Sequence, residues 1–162
     1  MSRRRMLIGL IGSNIMGSLS PALFAEAFAA AGIDGFYHLM DADRLPAPQL
    51  RALLDAVKMA GFSGINVTYP FKQDIIPLLD TIDPEAREVG AVNTVVFDEN
   101  GRTTGFNFDR RGWRNAFAEM FGTDGARGAV VALVGAGGAG RAVSWPRPAA
   151  RPRCHTTSRC RG

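Results

Sequence analysis

An α/β fold with an open, largely parallel sheet is predicted by three observations. Short apolar runs alternate with amphipathic stretches, glycine and proline stand at the joints, and no internal repeat interrupts the series. The 162 residues suffice for one full core, or for one domain and part of a second. Hydrophobic residues are 46% of the chain and charged residues 21%, an ordinary globular balance.

The elements follow in order. Residues 6–11, MLIGLI, predict a buried strand, and GSNIMGSLSP a glycine-bearing loop. Ser20-Pro21 reads as a helix N-cap followed by proline at the first helical position. ALFAEAFAAAG is then a helix stopped by Gly32. FYHLM (36–40) is a second strand, and APQLRALLDAVKMAG a second helix ending at Gly61. INVT is a third strand, and FKQDIIPLLD a short helix opened by Pro70 and interrupted by Pro77. AVNTVVFDENGRTTGFNF predicts a hairpin, because Glu99-Asn100-Gly101 separates two β-prone runs. DRRGWRNAFAEMFG is a helix leading to a new unit, where AVVALV (129–134) predicts a buried strand followed at once by GAGGAG.

Charge is unevenly spread. The net charge is +4, yet residues 141–162 hold six arginines and no acidic residue, which leaves 13 basic and 15 acidic residues in 1–140. The folded part is therefore slightly acidic, and a nucleic-acid partner is not expected. No apolar run reaches the ~18–20 residues that span a bilayer. MLIGLIG lacks a small-residue cleavage site and reads as a first strand rather than a signal peptide, so a cytoplasmic protein is expected. Cys154, Cys160 and His155 fall short of a four-ligand zinc site, and no metal is expected.

In open α/β sheets ligands bind beyond the carboxyl ends of the strands. The first strand leads there to Ser18 and Ser20, and the third to Thr68 and Lys72. The hairpin brings Asn93 and Thr94 at its start and Asn107-Phe108-Asp109 at its end. Hydroxyls and amides donate and accept, and one ammonium adds charge, an inventory suited to a small anion bearing several hydroxyls. A lysine beside an aspartate also suits proton exchange with an alcohol or ketone oxygen. Each residue has a plainer reading. Ser20 can cap a helix, Asn66 and Thr68 can end a strand, Asn107 and Asp109 can cap the helix at 110–121, and Lys72 can be a solvated first-turn residue. Lys72 is nonetheless one of only two lysines in the chain, and a cation is disfavoured at a helix N-terminus.

Gly135, Gly137 and Gly140 satisfy G-x-G-x-x-G directly after a predicted strand, the context of a dinucleotide loop. Together GSLSP, GINVTYPFK, GAVNTVV, GFNFDRRG and GAGGAG, in this order and spacing, resemble the shikimate/quinate dehydrogenases over roughly residues 6–143. The resemblance implies a substrate-binding domain over 1–110. A linking helix with the first strand and glycine loop of a Rossmann-type NAD(P)-binding domain then covers 111–143. Lys72 and Asp109 become the catalytic pair; Ser18 and Ser20 hold a substrate carboxylate; Thr68 and Asn93 join the pair in binding ring hydroxyls. Gly135, Gly137, Gly138, Ala139 and Gly140 hold the cofactor, NADP or alternatively NAD. The implied reaction is reversible NADPH-dependent reduction of 3-dehydroshikimate to shikimate, within aromatic amino-acid (chorismate) biosynthesis, by a monomer or homodimer. An NAD-linked quinate/shikimate dehydrogenase and a non-catalytic fragment are the alternatives.

The sequence departs from the family pattern in three places. The usual N-T-D is Asn107-Phe108-Asp109, and Gly17 stands where shikimate-specific members often carry histidine. Family members also continue well beyond this length, completing the nucleotide domain and returning a helix with a substrate-binding glutamine. Residues 144–162 instead lose periodicity and turn rich in arginine and proline. Arg159 lies near the offset of a ribose-reading residue, but no strand is expected to hold it. This segment is expected to be disordered and has the composition of an out-of-frame reading.

Overall fold

The computed structural model describes residues 4–44, 49–125, 127–130, 132–135, 137–144 and 155–156. A six-stranded sheet forms its centre. Strand β1 (Arg5–Gly12) lies between β2 (Asp34–Asp41) and β3 (Gly64–Val67), parallel to both. β5 (Thr94–Phe97) runs antiparallel to β3, and β6 (Thr103–Phe106) returns antiparallel to β5. β4 (Thr81–Ile82) closes the far edge, parallel to β6, so the order is β2-β1-β3-β5-β6-β4. The parallel sheet and the hairpin both follow the sequence-based expectation.

Burial explains the strand sequences. β1 is apolar without alternation because its second half, from Gly9 to Gly12, is buried on both faces, with Leu10 in one core cluster and Ile11 in another. Helix α1 (Ser20–Ala31) ends where Gly32 takes a left-handed φ of 66° and its N–H bonds back to the last turn. Helix α2 (Leu50–Met59) buries Leu54 and Val57 in the main core with Ile11, Ile65, Val67, Ile75 and Val95. Gln49 precedes it in extended conformation. Residues 45–48, the expected start of this helix, lie outside the described residues.

Between β3 and β5 the expected helix over FKQDIIPLLD is replaced by successive turns and one 3₁₀ turn at Ile76–Leu78. Pro77 has no N–H to give the Gln73 carbonyl; the Ile76 N–H takes that carbonyl at 3.1 Å, and the chain tightens. Two elements absent from the sequence-based reading follow, β4 and helix α3 (Pro84–Val89). Asp83 caps α3 by accepting the Glu85 N–H at 2.9 Å.

Asp80 fastens this edge. Its carboxylate accepts the Thr103 N–H and hydroxyl, both at 2.8 Å, and its own N–H donates to the Thr103 hydroxyl at 2.9 Å. The Thr103 amide, and after it the Thr103 hydroxyl, hold the Asp80 carboxyl below its ordinary value. Stability from this contact is present above the usual carboxylate range and is lost as pH falls through the lowered value. Thermal unfolding between about pH 5 and pH 2 should therefore fall more steeply for the native sequence than for Asp80→Asn. Parallel curves would remove Asp80 from the account of acid stability.

Helix α4 (Asp109–Phe121) leaves the sheet, with Trp113 stacked on Phe117 and Phe121 tilted against Phe117 along one side. Then come β7 (Ala132–Leu133), α5 (Gly138–Ser144) and β8 (His155–Thr156), which pairs parallel with β7. The buried strand expected at 129–134 is corrected: Val130 and Val134 are 92% and 90% exposed. A strand of this kind is buried by parallel neighbours and helices on both faces, and among the described residues β7 pairs only with the two-residue β8. β8 also places two strand residues in a tail where none was expected. The rest of 145–162, and with it the expected disorder and Arg159, lies outside the described residues.

Candidate active site

The topology gathers the predicted residues at one edge. Gly12 and Val67 end the parallel strands β1 and β3, and antiparallel pairing sets Thr94, the first residue of β5, opposite Asn66 and Phe106. The loops carrying Ser18, Ser20, Thr68, Lys72, Asn93 and Asp109 therefore all start from the same side of the sheet.

Lys72 and Asp109 form the centre. Lys72 Nζ donates to Asp109 Oδ2 at 2.6 Å, with side chains 17% and 33% exposed. The other carboxylate oxygen, Oδ1, accepts from Asn93 Nδ2 at 2.8 Å. Asn93 is fixed in that sense because its Oδ1 accepts the Phe108 N–H at 3.1 Å and the Thr94 hydroxyl at 3.0 Å. Both oxygens of Asp109 are thus occupied by nitrogen donors, and the ammonium sits at a defined point on the rim. Lys72 is reached from β3 through Thr68 and the cis Tyr69–Pro70 bond, and it lies in a turn rather than on the first turn of a helix. The plainer reading of Lys72 as a first-turn surface residue fails with that correction.

Asn107 divides the duties expected at the start of α4. It is buried, its Nδ2 donates to the Ala91 carbonyl at 3.0 Å, and its Oδ1 accepts the Asp109 N–H at 3.0 Å. Asn107 therefore holds the first turn, and the Asp109 carboxylate is left to face Lys72. Arg110, buried beside it, binds Glu88 at 2.6 Å and Glu85 at 3.6 Å, which ties α4 to α3.

The two serines pair with each other where the loop after β1 meets α1. Ser18 Oγ donates to Ser20 Oγ at 3.0 Å and accepts the Ser20 N–H at 3.2 Å. The expectation that Ser20 caps α1 is corrected: the cap position falls on Leu19, with no side-chain cap bond. The Ser20 hydroxyl instead accepts from Ser18 Oγ. Burial pushes the Tyr37 phenol above its ordinary value, against a smaller lowering by the Ser20 hydroxyl, so it remains a neutral donor. That hydroxyl donates to Asn66 Oδ1 at 2.9 Å, and Asn66 Nδ2 reaches the Thr94 hydroxyl at 3.1 Å. A continuous hydrogen-bonded chain runs from Tyr37 to Lys72 through Asn66, Thr94, Asn93 and Asp109. Thr68 sits beside it, its N–H on the Ile11 carbonyl at 2.9 Å.

Tyr37 was missed from sequence, and Asn66 was read only as a strand end. The usable signal was an amide inside the otherwise apolar Gly-Ile-Asn-Val strand, in register with Thr94. Phe108 stands beside the centre, 46% exposed, stacked on Phe106 at 5.7 Å between centroids, with the Arg111 guanidinium 6.0 Å from its ring centroid. A separate hollow of about 460 Å³ opens on the sheet face near Ile8, Phe24, Asn66, Thr94 and Val96. It is lined by none of Ser18, Ser20, Thr68, Lys72, Asn93 and Asp109.

The glycine loop has the strand–loop–helix context that a dinucleotide requires. Gly135 takes φ +104°, and a Cβ on Gly140 would run into the Gly135 carbonyl, so the loop closes on itself only with glycine there. Gly135 and Gly140 thus give the tight, side-chain-free turn that close approach of a pyrophosphate needs, with Gly137, Gly138 and Ala139 in the same loop and helix start. Among the described residues no group of three or more His, Cys, Asp or Glu could hold a metal ion, and no helix is long and apolar enough to cross a membrane.

Residues 10–95 match the family model described as the shikimate dehydrogenase substrate binding domain. A quinate/shikimate dehydrogenase (NAD(+)) of Corynebacterium efficiens is 42% identical over 147 residues, 90% of this chain and 51% of its own length. A shikimate dehydrogenase (NADP(+)) of Streptomyces avermitilis is 46% identical over 146 residues, 89% of this chain and 49% of its own. Among solved structures, the quinate dehydrogenase of Corynebacterium glutamicum in complex with NAD superposes with a TM-score of 0.79 at 40% identity, covering 88% of this chain and 50% of that one. The chain spans about half the length of the relatives it matches. With the family model covering more than half of its residues and solved relatives of that family superposing on it, the chain belongs to the shikimate dehydrogenase family.

Proposed function

We propose that this chain carries the substrate side of a shikimate/quinate-type dehydrogenase. The observation that carries the reading is the Lys72–Asp109–Asn93 cluster, an ammonium and a carboxylate 2.6 Å apart with the second carboxylate oxygen held by an amide. Lys72 exchanges the proton of the ring oxygen that becomes ketone or hydroxyl. Asp109 orients the ammonium, and with Asn93 and Thr68 it holds neighbouring hydroxyls. Ser18 and Ser20, whose hydroxyls already face each other, turn toward the substrate carboxylate. The nicotinamide, when bound, supplies or accepts the hydride. Gly135, Gly137, Gly138, Ala139 and Gly140 hold its pyrophosphate by backbone N–H groups.

The substrate pair we assign is 3-dehydroshikimate and shikimate with NADPH. Phe108 favours a second reading, an NAD-linked enzyme acting on quinate as well. A large half-exposed ring stands where the family pattern has threonine, and it removes a hydroxyl from the rim. Titrating the chain with shikimate and with quinate, followed by nuclear magnetic resonance, tests both readings. Phe108→Thr should change the ratio of the two affinities, and an unchanged ratio would take Phe108 off the pocket wall. Binding of neither ring acid would overturn the substrate assignment.

A further inference from the structure

Gly138 occupies a variable position of G-x-G-x-x-G, whose fixed glycines are Gly135, Gly137 and Gly140. The dinucleotide pattern gives no reason for glycine there. As the first residue of α5, with no positive φ, it stands where alanine would favour the helix. Its neighbours supply the missing reason. A Cβ on Gly138 would stand 3.0 Å from Lys72 Cδ, 3.3 Å from Lys72 Cβ and 3.5 Å from Ala91 Cβ, whereas one on Gly137 would meet nothing within 4 Å.

Lys72 has little room to retreat. Its ammonium is held by Asp109 at 2.6 Å, and its carbonyl accepts the Val92 N–H at 2.7 Å. Helix α5 is equally seated, because Ala142 is fully buried in a cluster with Val89 and Ala91. We propose that Gly138 is a positioning residue for Lys72: the absent side chain leaves the space in which the lysine stem lies. The glycine loop and the reacting ammonium then belong to one packing unit, and a shift of the loop moves the ammonium. The catalytic meaning of this contact rests on the proposed role of Lys72; the contact itself does not.

The test uses the full 162-residue chain without nucleotide or substrate. Lysine labelled with carbon-13 gives signals from only two residues, so Lys58 on α2 serves as an internal reference. Gly138→Ala should shift the Lys72 δ and ε methylene signals and leave those of Lys58 in place, while Gly137→Ala should move neither. Unfolding midpoints supply the second measurement. Gly138→Ala should lower the midpoint when Lys72 is present, and the loss should be smaller in the Lys72→Ala background, which removes the 3.0 Å contact with Cδ and keeps the 3.3 Å contact with Cβ. If Gly138→Ala fails to fold, recovery in the double variant supports the proposal and continued failure overturns it. Unmoved Lys72 signals, or the same midpoint change in both backgrounds, overturn it as well. Shikimate titration of the native chain and of Lys72→Ala reads the functional assignment separately, so either idea can fail alone.

Discussion

Replacing Lys72 by alanine is expected to lower kcat by about 10²–10⁴-fold, the usual contribution of a general acid–base group. KM should change far less. The expectation follows from geometry: the ammonium is held on one side by Asp109 at 2.6 Å, in a turn that β3 and the Val92–Lys72 backbone bond keep in place. An interaction made mainly in the transition state lowers kcat and kcat/KM together. The measurement needs a complete dinucleotide site, which residues 1–143 joined to the remaining half of the Corynebacterium glutamicum enzyme would supply. A variant keeping more than half of the kcat of that parent would reduce Lys72 to a binding residue.

Asp109→Asn should be nearly as damaging, although it alters a single atom. The aspartate accepts on both oxygens, Oδ1 from Asn93 and Oδ2 from Lys72. An asparagine has one acceptor. With its oxygen toward Asn93, its NH₂ faces the ammonium; with its oxygen toward Lys72, its NH₂ faces Asn93 Nδ2. Asn93 cannot turn to help, because its own oxygen is committed to the Phe108 N–H and the Thr94 hydroxyl. A charge-assisted hydrogen bond of this kind contributes about 1.5–3 kcal/mol, and here its loss also unfixes the ammonium. We expect kcat in the same joined enzyme to fall by about 10²-fold or more. Wild-type kcat in Asp109→Asn would mean that Lys72 is placed by something other than Asp109.

Much of this site was legible in the sequence because its parts hang on strand ends. Once 6–11, INVT and the hairpin are recognised as strands, the polar residues that follow or open them must share an edge, where the structure joins Lys72, Asn93 and Asp109 by hydrogen bonds and pairs Ser18 with Ser20. What was not legible depended on contacts distant in sequence. Tyr37 joins Asn66 across 29 positions, and no local pattern distinguishes its hydroxyl from that of any strand tyrosine. Ser20 looked like a cap because serine before proline favours that role, but the helix begins one residue earlier and the hydroxyl pairs with Ser18. The helix expected after Pro70 failed at Pro77, whose effect on the preceding turns depends on which carbonyl must be satisfied. Helix α3 did have a local sign, Asp83-Pro84-Glu85, which went unread. The strand at 129–134 was misjudged because apolar residues alone do not bury a strand; partners do.

A ring acid is expected to bind at the Lys72–Asp109–Asn93 cluster, and mapping shikimate onto the chain through backbone amide signals decides this. Saturable shifts are expected around Ser18, Ser20, Thr68, Lys72, Asn93 and Asp109, lost in Lys72→Ala. Shifts gathered instead around the hollow at Ile8, Phe24 and Val96, or the same shifts in Lys72→Ala, would contradict it.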